Sequence, residues 1–169
     1  LGVKKHLAPV PDEPVIHRLQ RELVERGVDD VMVACKAGDV DAYVTVGRAV
    51  ELADLGDGWR HEWADSRAHW PNNRLLVFYG DCFHTSELLD AMVSDDAPGW
   101  RVYARWGKSS LTMKQYGEMF GWVIQPEAHT VLDEACEVAI QAFRDKRITR
   151  VLGWEVYRQA VGFNLTSHN

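Results

Sequence analysis

Two spacings of apolar residues alternate along the chain, and each change of spacing marks a new element. Val15, Ile16, Leu19, Leu23 and Val24 share one face of a 3.6-residue period behind Pro14, which predicts a helix to about Arg26 with Gly27 as its stop. Asp30-Val-Met-Val-Ala-Cys35 then reads as a buried strand, and so short a helix-to-strand step predicts an α/β sheet. Between 37 and 73 the pattern is weaker. It predicts a helix around Ala42 to Leu52 and assigns no strand. The run Leu75 to Tyr79 predicts a second buried strand, followed by Thr85-Ser86 as a cap and a short helix over Glu87 to Val93. Trp100 to Arg105 and Gly121 to Ile124 predict two more strands around a polar loop, 106–117. Pro126 opens the longest helix, with Val131, Leu132, Ala135, Val138, Ala139, Ala142 and Phe143 as its predicted core stripe.

The chain has 169 residues, 46% of them hydrophobic, and shows neither an internal repeat nor a low-complexity linker. One globular domain over 1–169 is the expectation. Leu1 rather than Met opens it, so we expect a segment upstream. A net charge of -6 argues against nucleic acid as the default partner. Cys35, Cys82 and Cys136 are odd in number and without CxxC spacing, which suggests neither a disulfide framework nor a cysteine zinc site and fits a cytoplasmic protein. No apolar stretch approaches the roughly 18 residues that span a bilayer.

The strongest chemical candidate is Asp81. It ends the run Arg74-Leu-Leu-Val-Phe-Tyr-Gly-Asp81, at the strand mouth where open α/β sheets bind ligands. A second reading stands beside this one, because Gly-Asp pairs also make ordinary turns, here ahead of Thr85. His61, His69 and His84 lie near Glu62, Asp65 and Asp81 but match no zinc spacing. Cys82 has no ordered Cys-His-Asn partners and reads as a small packed thiol. Trp59, Trp63, Trp70, Trp100 and Trp106 could stack on a base or sugar, but core or lid packing is the expectation for most of them.

Several segments in one order carry a resemblance. Lys4-Lys5-His-Leu-Ala-Pro-Val10, then Glu13-Pro-Val-Ile16 and the helix to Gly27-Val28, resembles the segment after the nucleotide loop of sugar-phosphate nucleotidyltransferases. That family pattern is proline, lysine, any residue, two apolar residues, proline and an apolar residue. Lys5 matches the lysine, and Lys4 replaces the proline. Gly80-Asp81 matches the family's next landmark, an apolar strand ending in Gly-Asp, and is also similar to the metal-binding turn of GT-A glycosyltransferases. Phe83 and Tyr116-Gly-Glu-Met-Phe120 most resemble branches from high-GC bacteria and their phages. The family's glycine-rich loop with its arginine would lie upstream of Leu1, and its second metal-binding aspartate has no counterpart near the C-terminus.

The resemblance implies a single GT-A/Rossmann-like α/β domain, with a mixed, mostly parallel sheet flanked by helices. It implies a metal-dependent transferase joining an NTP to a sugar phosphate. Asp81 would hold Mg²⁺ or Mn²⁺, and Lys5 would meet phosphate. Gly80, Lys114 and Glu118 would contact nucleotide or sugar, Glu118 by accepting sugar hydroxyls. Each has a plainer reading: Lys5, Lys108 and Lys114 as solvated lysines, Lys4 as surface, and Glu118 as an exposed charge at the start of a strand. Two alternative functions are a GT-A glycosyltransferase using a nucleotide sugar, with a modified nucleic-acid base or a surface polymer as acceptor, and a non-catalytic nucleotide-sugar binding or regulatory module.

Overall fold

The computed structural model describes residues 4–52, 62–105 and 118–163. They form a mixed α/β structure with two small sheets. The chain divides into two compact units. The first comprises Leu1–Glu51, Leu76–Ala97 and Arg101–Val123, and the second Leu52–Leu75, Pro98–Trp100 and Ile124–Asn169.

In the first unit, helix α1 (Val15–Glu25) buries Val15, Ile16, Leu19 and Leu23, four of the five residues that predicted it. Val24, the fifth, is exposed. Strand β1 (Met32–Cys35) follows, as predicted. Ile16 packs with Val33, Cys35 and Tyr43, while Leu19 and Leu23 pack with Val31 and Leu89. One helix thus serves two parts of the core.

The expected helix around 42–52 is not formed. In its place are a single turn, α2 (Val40–Tyr43), and strand β2 (Arg48–Glu51), which pairs in parallel with β1 from Met32 opposite Arg48 to Cys35 opposite Glu51. The residues explain the difference. Val44, Thr45, Val46 and Val50 are β-branched and favour extended backbone. Gly47 adopts φ 80°, and a Cβ there would stand 2.1 Å from the Val31 carbonyl oxygen. Gln20, 2% exposed, holds the connection: its amide donates to the Ile16 and Tyr43 carbonyls, and its oxygen accepts from Thr45 N at 3.0 Å.

The second sheet has the order β3-β5-β4, formed by β3 (Leu75–Phe78), β4 (Trp100–Arg105) and β5 (Glu118–Ile124). Its pairings are antiparallel, as the bonds Tyr79 N to Phe120 O and Gln125 N to Gly99 O at opposite ends of β5 require. The expectation of a mostly parallel sheet is therefore corrected: among the described strands one pairing is parallel and two are antiparallel. Strand β5 follows β4 in sequence and lies beside it, and antiparallel pairing permits that without a long crossover. Strands β3 and β4, joined through α4 (Ser86–Ser94), run parallel to each other with β5 between them, a split βαβ arrangement. Thr85 caps α4, accepting from Leu88 N at 3.3 Å.

The second unit is helical: α3 (Glu62–Asp65), α5 (His129–Arg144) and α6 (Gly153–Ala160). Pro126 opens a short 3-10 turn ahead of α5. The buried stripe of α5 is Leu132, Ala135, Cys136, Ala139, Ile140 and Ala142, whereas Val131 and Val138 are exposed. Leu132, Ala135, Ala139 and Ala142 are thus buried as expected, while Cys136 and Ile140 take the places expected of Val131 and Val138. Helix α6 lies in a segment for which the sequence pattern made no prediction, and its first turn is closed by Glu155 accepting from Leu152 N at 3.0 Å. Arg67 spans from the Ala64 carbonyl to Asp133 at 2.7 Å and Glu137 at 2.6 Å, fixing the turn after α3 to α5. No helix among the described residues is long and apolar enough to cross a membrane.

Candidate functional site

Strand β3 delivers the candidate site. After Phe78 the chain turns, with Cys82 N donating to Tyr79 O at 3.1 Å, and this turn presents Asp81 at the strand mouth. Gly80 lies inside the turn, close against α1 and the ring of His6. Lys5 belongs to the 3-10 turn Lys5–Leu7 ahead of α1. Its ammonium lies 3.6 Å from Asp81 Oδ2. The two residues predicted to meet phosphate and metal, from distant parts of the sequence, are therefore neighbours.

Their exposures suit a ligand. The Lys5 side chain is 81% exposed and that of Asp81 35%, so neither is committed to the core. Lys4 differs. It pairs with Asp39 and lies 5.3 Å from the Tyr43 ring centroid, so Lys4 fastens the N-terminal segment to the α2 region. The hydrogen bond to Asp39 raises its pKa above the ordinary lysine value.

Cys82 sits beside the pair, with Sγ 3.8 Å from Asp81 Oδ1. Burial chiefly, then the negative charges of Asp81 and Glu118, push its thiol up to about 12, while Lys5 pulls the other way. A thiol so placed stays protonated at neutral pH and is no nucleophile. The same effects place Glu118, the first residue of β5, within electrostatic reach of this turn. Lys114 and Lys108 lie outside the described residues, as do His61, Trp59 and Trp106.

His84 is structural. It is 1% exposed, its Nε2 donates to the Phe120 carbonyl at 3.1 Å, and burial lowers its pKa below the ordinary histidine value. It joins the Asp81 turn to the central strand. On the other side Arg18 of α1 donates to the His84 carbonyl at 2.8 Å, pairs with Glu22 at 2.6 Å and lies over the Phe83 ring. Arg18 escaped the sequence reading. Its spacing from Glu22 announces a helical ion pair, but nothing local announces the loop it holds.

Among the described residues, Trp63, Trp70 and Trp100 pack against other aromatic rings. Trp63 and Trp70 meet edge to face at 5.4 Å, and Trp100 meets Tyr157 at 5.9 Å. Among the described residues no group of three or more His, Cys, Asp or Glu side chains is arranged to hold a metal ion. A partly exposed carboxylate beside an exposed ammonium would suit Mg²⁺ or Mn²⁺ shared with a phosphate ligand, since hard cations of this kind commonly take one or two carboxylates plus phosphate oxygens. No protein-family model matches the chain, and no curated protein shows significant sequence similarity to it.

Proposed function

We propose that the chain is a metal-dependent nucleotidyltransferase of GT-A-like fold, acting in the cytoplasm on an NTP and a sugar phosphate. The observation that carries this reading is the pairing of Lys5 with Asp81 at the mouth of β3. A cation and a carboxylate within 4 Å of each other, both open to solvent, can exchange their mutual contact for a metal–phosphate ligand of matching charges. Lys5 then meets phosphate oxygens, and Asp81 meets the metal.

When bound, the metal supplies charge neutralisation along the phosphates. Lys5 holds the phosphate in place and stabilises the charge that develops as a sugar phosphate oxygen attacks the α-phosphorus in line, with pyrophosphate leaving. Glu118 orients the sugar by accepting its hydroxyls, and Gly80 keeps the turn close to the helix so that Asp81 faces outward. No covalent enzyme intermediate is needed. The high pKa of Cys82 agrees with that economy.

The test is a screen of the full-length protein with NTP and sugar 1-phosphate pairs in Mg²⁺ or Mn²⁺, with Asp81→Asn as the blank. Asp81-dependent pyrophosphate release is expected. Release of nucleoside diphosphate from nucleotide sugars alone would replace the proposal with a glycosyltransferase, and tight binding without turnover would replace it with a binding module.

A further inference from the structure

Phe83 follows Asp81 by two positions, so the two Cα atoms stand within about 7 Å. It is 51% exposed. Single exposed apolar residues are common, but this one is braced. The Arg18 guanidinium lies 4.5 Å from its ring centroid. Arg18 is in turn gripped by Glu22 and by the His84 carbonyl, and its side chain is only 14% exposed. With a fixed guanidinium over the ring, the residue is still 51% exposed and keeps surface that a ligand can reach.

An immobile aromatic ring with exposed surface loses little freedom when a flat ligand stacks on it. Every nucleobase has a π-face that such a ring can meet.

We infer that the ring of Phe83 is the stacking platform for the base of a nucleotide whose phosphates meet Lys5 and Asp81. The inference rests on the proposed reading of that pair and adds the place where the base of the nucleotide is held. Stacking alone is tolerant of base identity, so Phe83 supplies affinity for nucleotides without choosing among them.

The experiment is calorimetric titration, with Mg²⁺ present, of wild type, Phe83→Leu and Phe83→Tyr. The probes are ATP, GTP, UTP and CTP, and inorganic tripolyphosphate, which carries the phosphates without a base. Phe83→Leu is expected to weaken nucleotide binding about tenfold or more, to leave tripolyphosphate affinity unchanged, and to melt like wild type. Phe83→Tyr keeps the ring and is expected to bind like wild type. Undiminished nucleotide binding by Phe83→Leu would overturn the platform while leaving the Lys5 and Asp81 reading intact. Equal losses for nucleotides and tripolyphosphate would also overturn it, giving Phe83 a role in shaping the loop. A wild type that binds neither probe would overturn the underlying site reading together with the platform.

Discussion

Gly80 is pressed against Ile16: a Cβ at position 80 would stand 2.6 Å from Cδ1 of Ile16. Ile16 is 7% exposed and belongs to the core around Val33, Cys35 and Tyr43, so it has little room to withdraw. Gly80→Ala is therefore expected to cost about 1–3 kcal/mol by overpacking. Ile16→Val removes the offending methyl and alone costs about 1 kcal/mol. The double variant should be less destabilised than the sum of the two, as urea unfolding of all four proteins would read. Additive losses would mean that the turn moves away without strain.

Asp81→Asn and Lys5→Met bear on function rather than stability. An ion pair this exposed contributes at most about 1 kcal/mol, and melting should scarcely change. Metal-dependent nucleotide binding should fall in both variants, with Lys4→Met as the comparison. Because Lys4 is held by Asp39 and Tyr43, its loss should loosen the N-terminal segment more than it weakens phosphate binding. A larger binding defect in Lys4→Met than in Lys5→Met would shift the motif by one residue.

Gln20→Leu should destabilise the first unit. It removes the donor to the Tyr43 carbonyl and the acceptor for Thr45 N at one stroke, while Gln20 itself is buried. A buried polar group stripped of its partner costs about 2 kcal/mol, which corresponds to a fall of about 4–8 °C in Tm for a chain of this size. An unchanged melting curve would show that water replaces the amide without loss.

Acid sensitivity should involve Asp95. Hydrogen bonds from Arg101, chiefly, and from Tyr103 hold its carboxyl down at about 2. Its folded pKa is below the unfolded value near 3.9, so the stabilisation is present above about pH 4 and is lost as the pH falls toward 2. Asp95→Asn should be less stable than wild type at pH 7, and the gap should narrow across that acid window. A constant difference from pH 7 to pH 2 would contradict the ion pair as its source.

The thiols should be silent. Burial raises all three, Cys82 and Cys136 to about 12, so native protein should resist iodoacetamide at neutral pH. Cys82→Ser should keep turnover. Rapid alkylation that abolishes activity would return Cys82 to the list of nucleophiles.

The sequence was most readable where the elements carry their own punctuation. Pro14, the spaced apolar residues of α1 and Gly27 mark a helix without reference to anything distant, and β1, β3 and β4 were visible as short apolar runs. Strand β2 was missed because Arg48 to Glu51 carries charges at both ends and is extended through its pairing with β1, a partner that local pattern does not reveal. The stripe of α5 is legible only in part for a related reason: Leu132, Ala135, Ala139 and Ala142 are buried as the pattern predicts, but only tertiary packing decides that Cys136 and Ile140 face inward rather than Val131 and Val138. At the site, the motifs picked out Lys5 and Asp81 individually. Arg18 was invisible because its work lies in a backbone carbonyl and a ring far along the chain.

The position of β5 between β3 and β4 has a consequence for synthesis. Both outer strands leave the ribosome before the strand that joins them, and among the described strands neither pairs with any other. A nascent chain that has emerged only to residue 117 therefore carries Leu75–Phe78 and Trp100–Arg105 with open edges, the condition under which strands adhere to foreign partners. The turn that presents Asp81 gains its bond from Tyr79 N to Phe120 O only once that middle strand arrives. A chain that ends before β5 therefore lacks both the pairing partner of β3 and β4 and the bond that ties the Asp81 turn to the sheet.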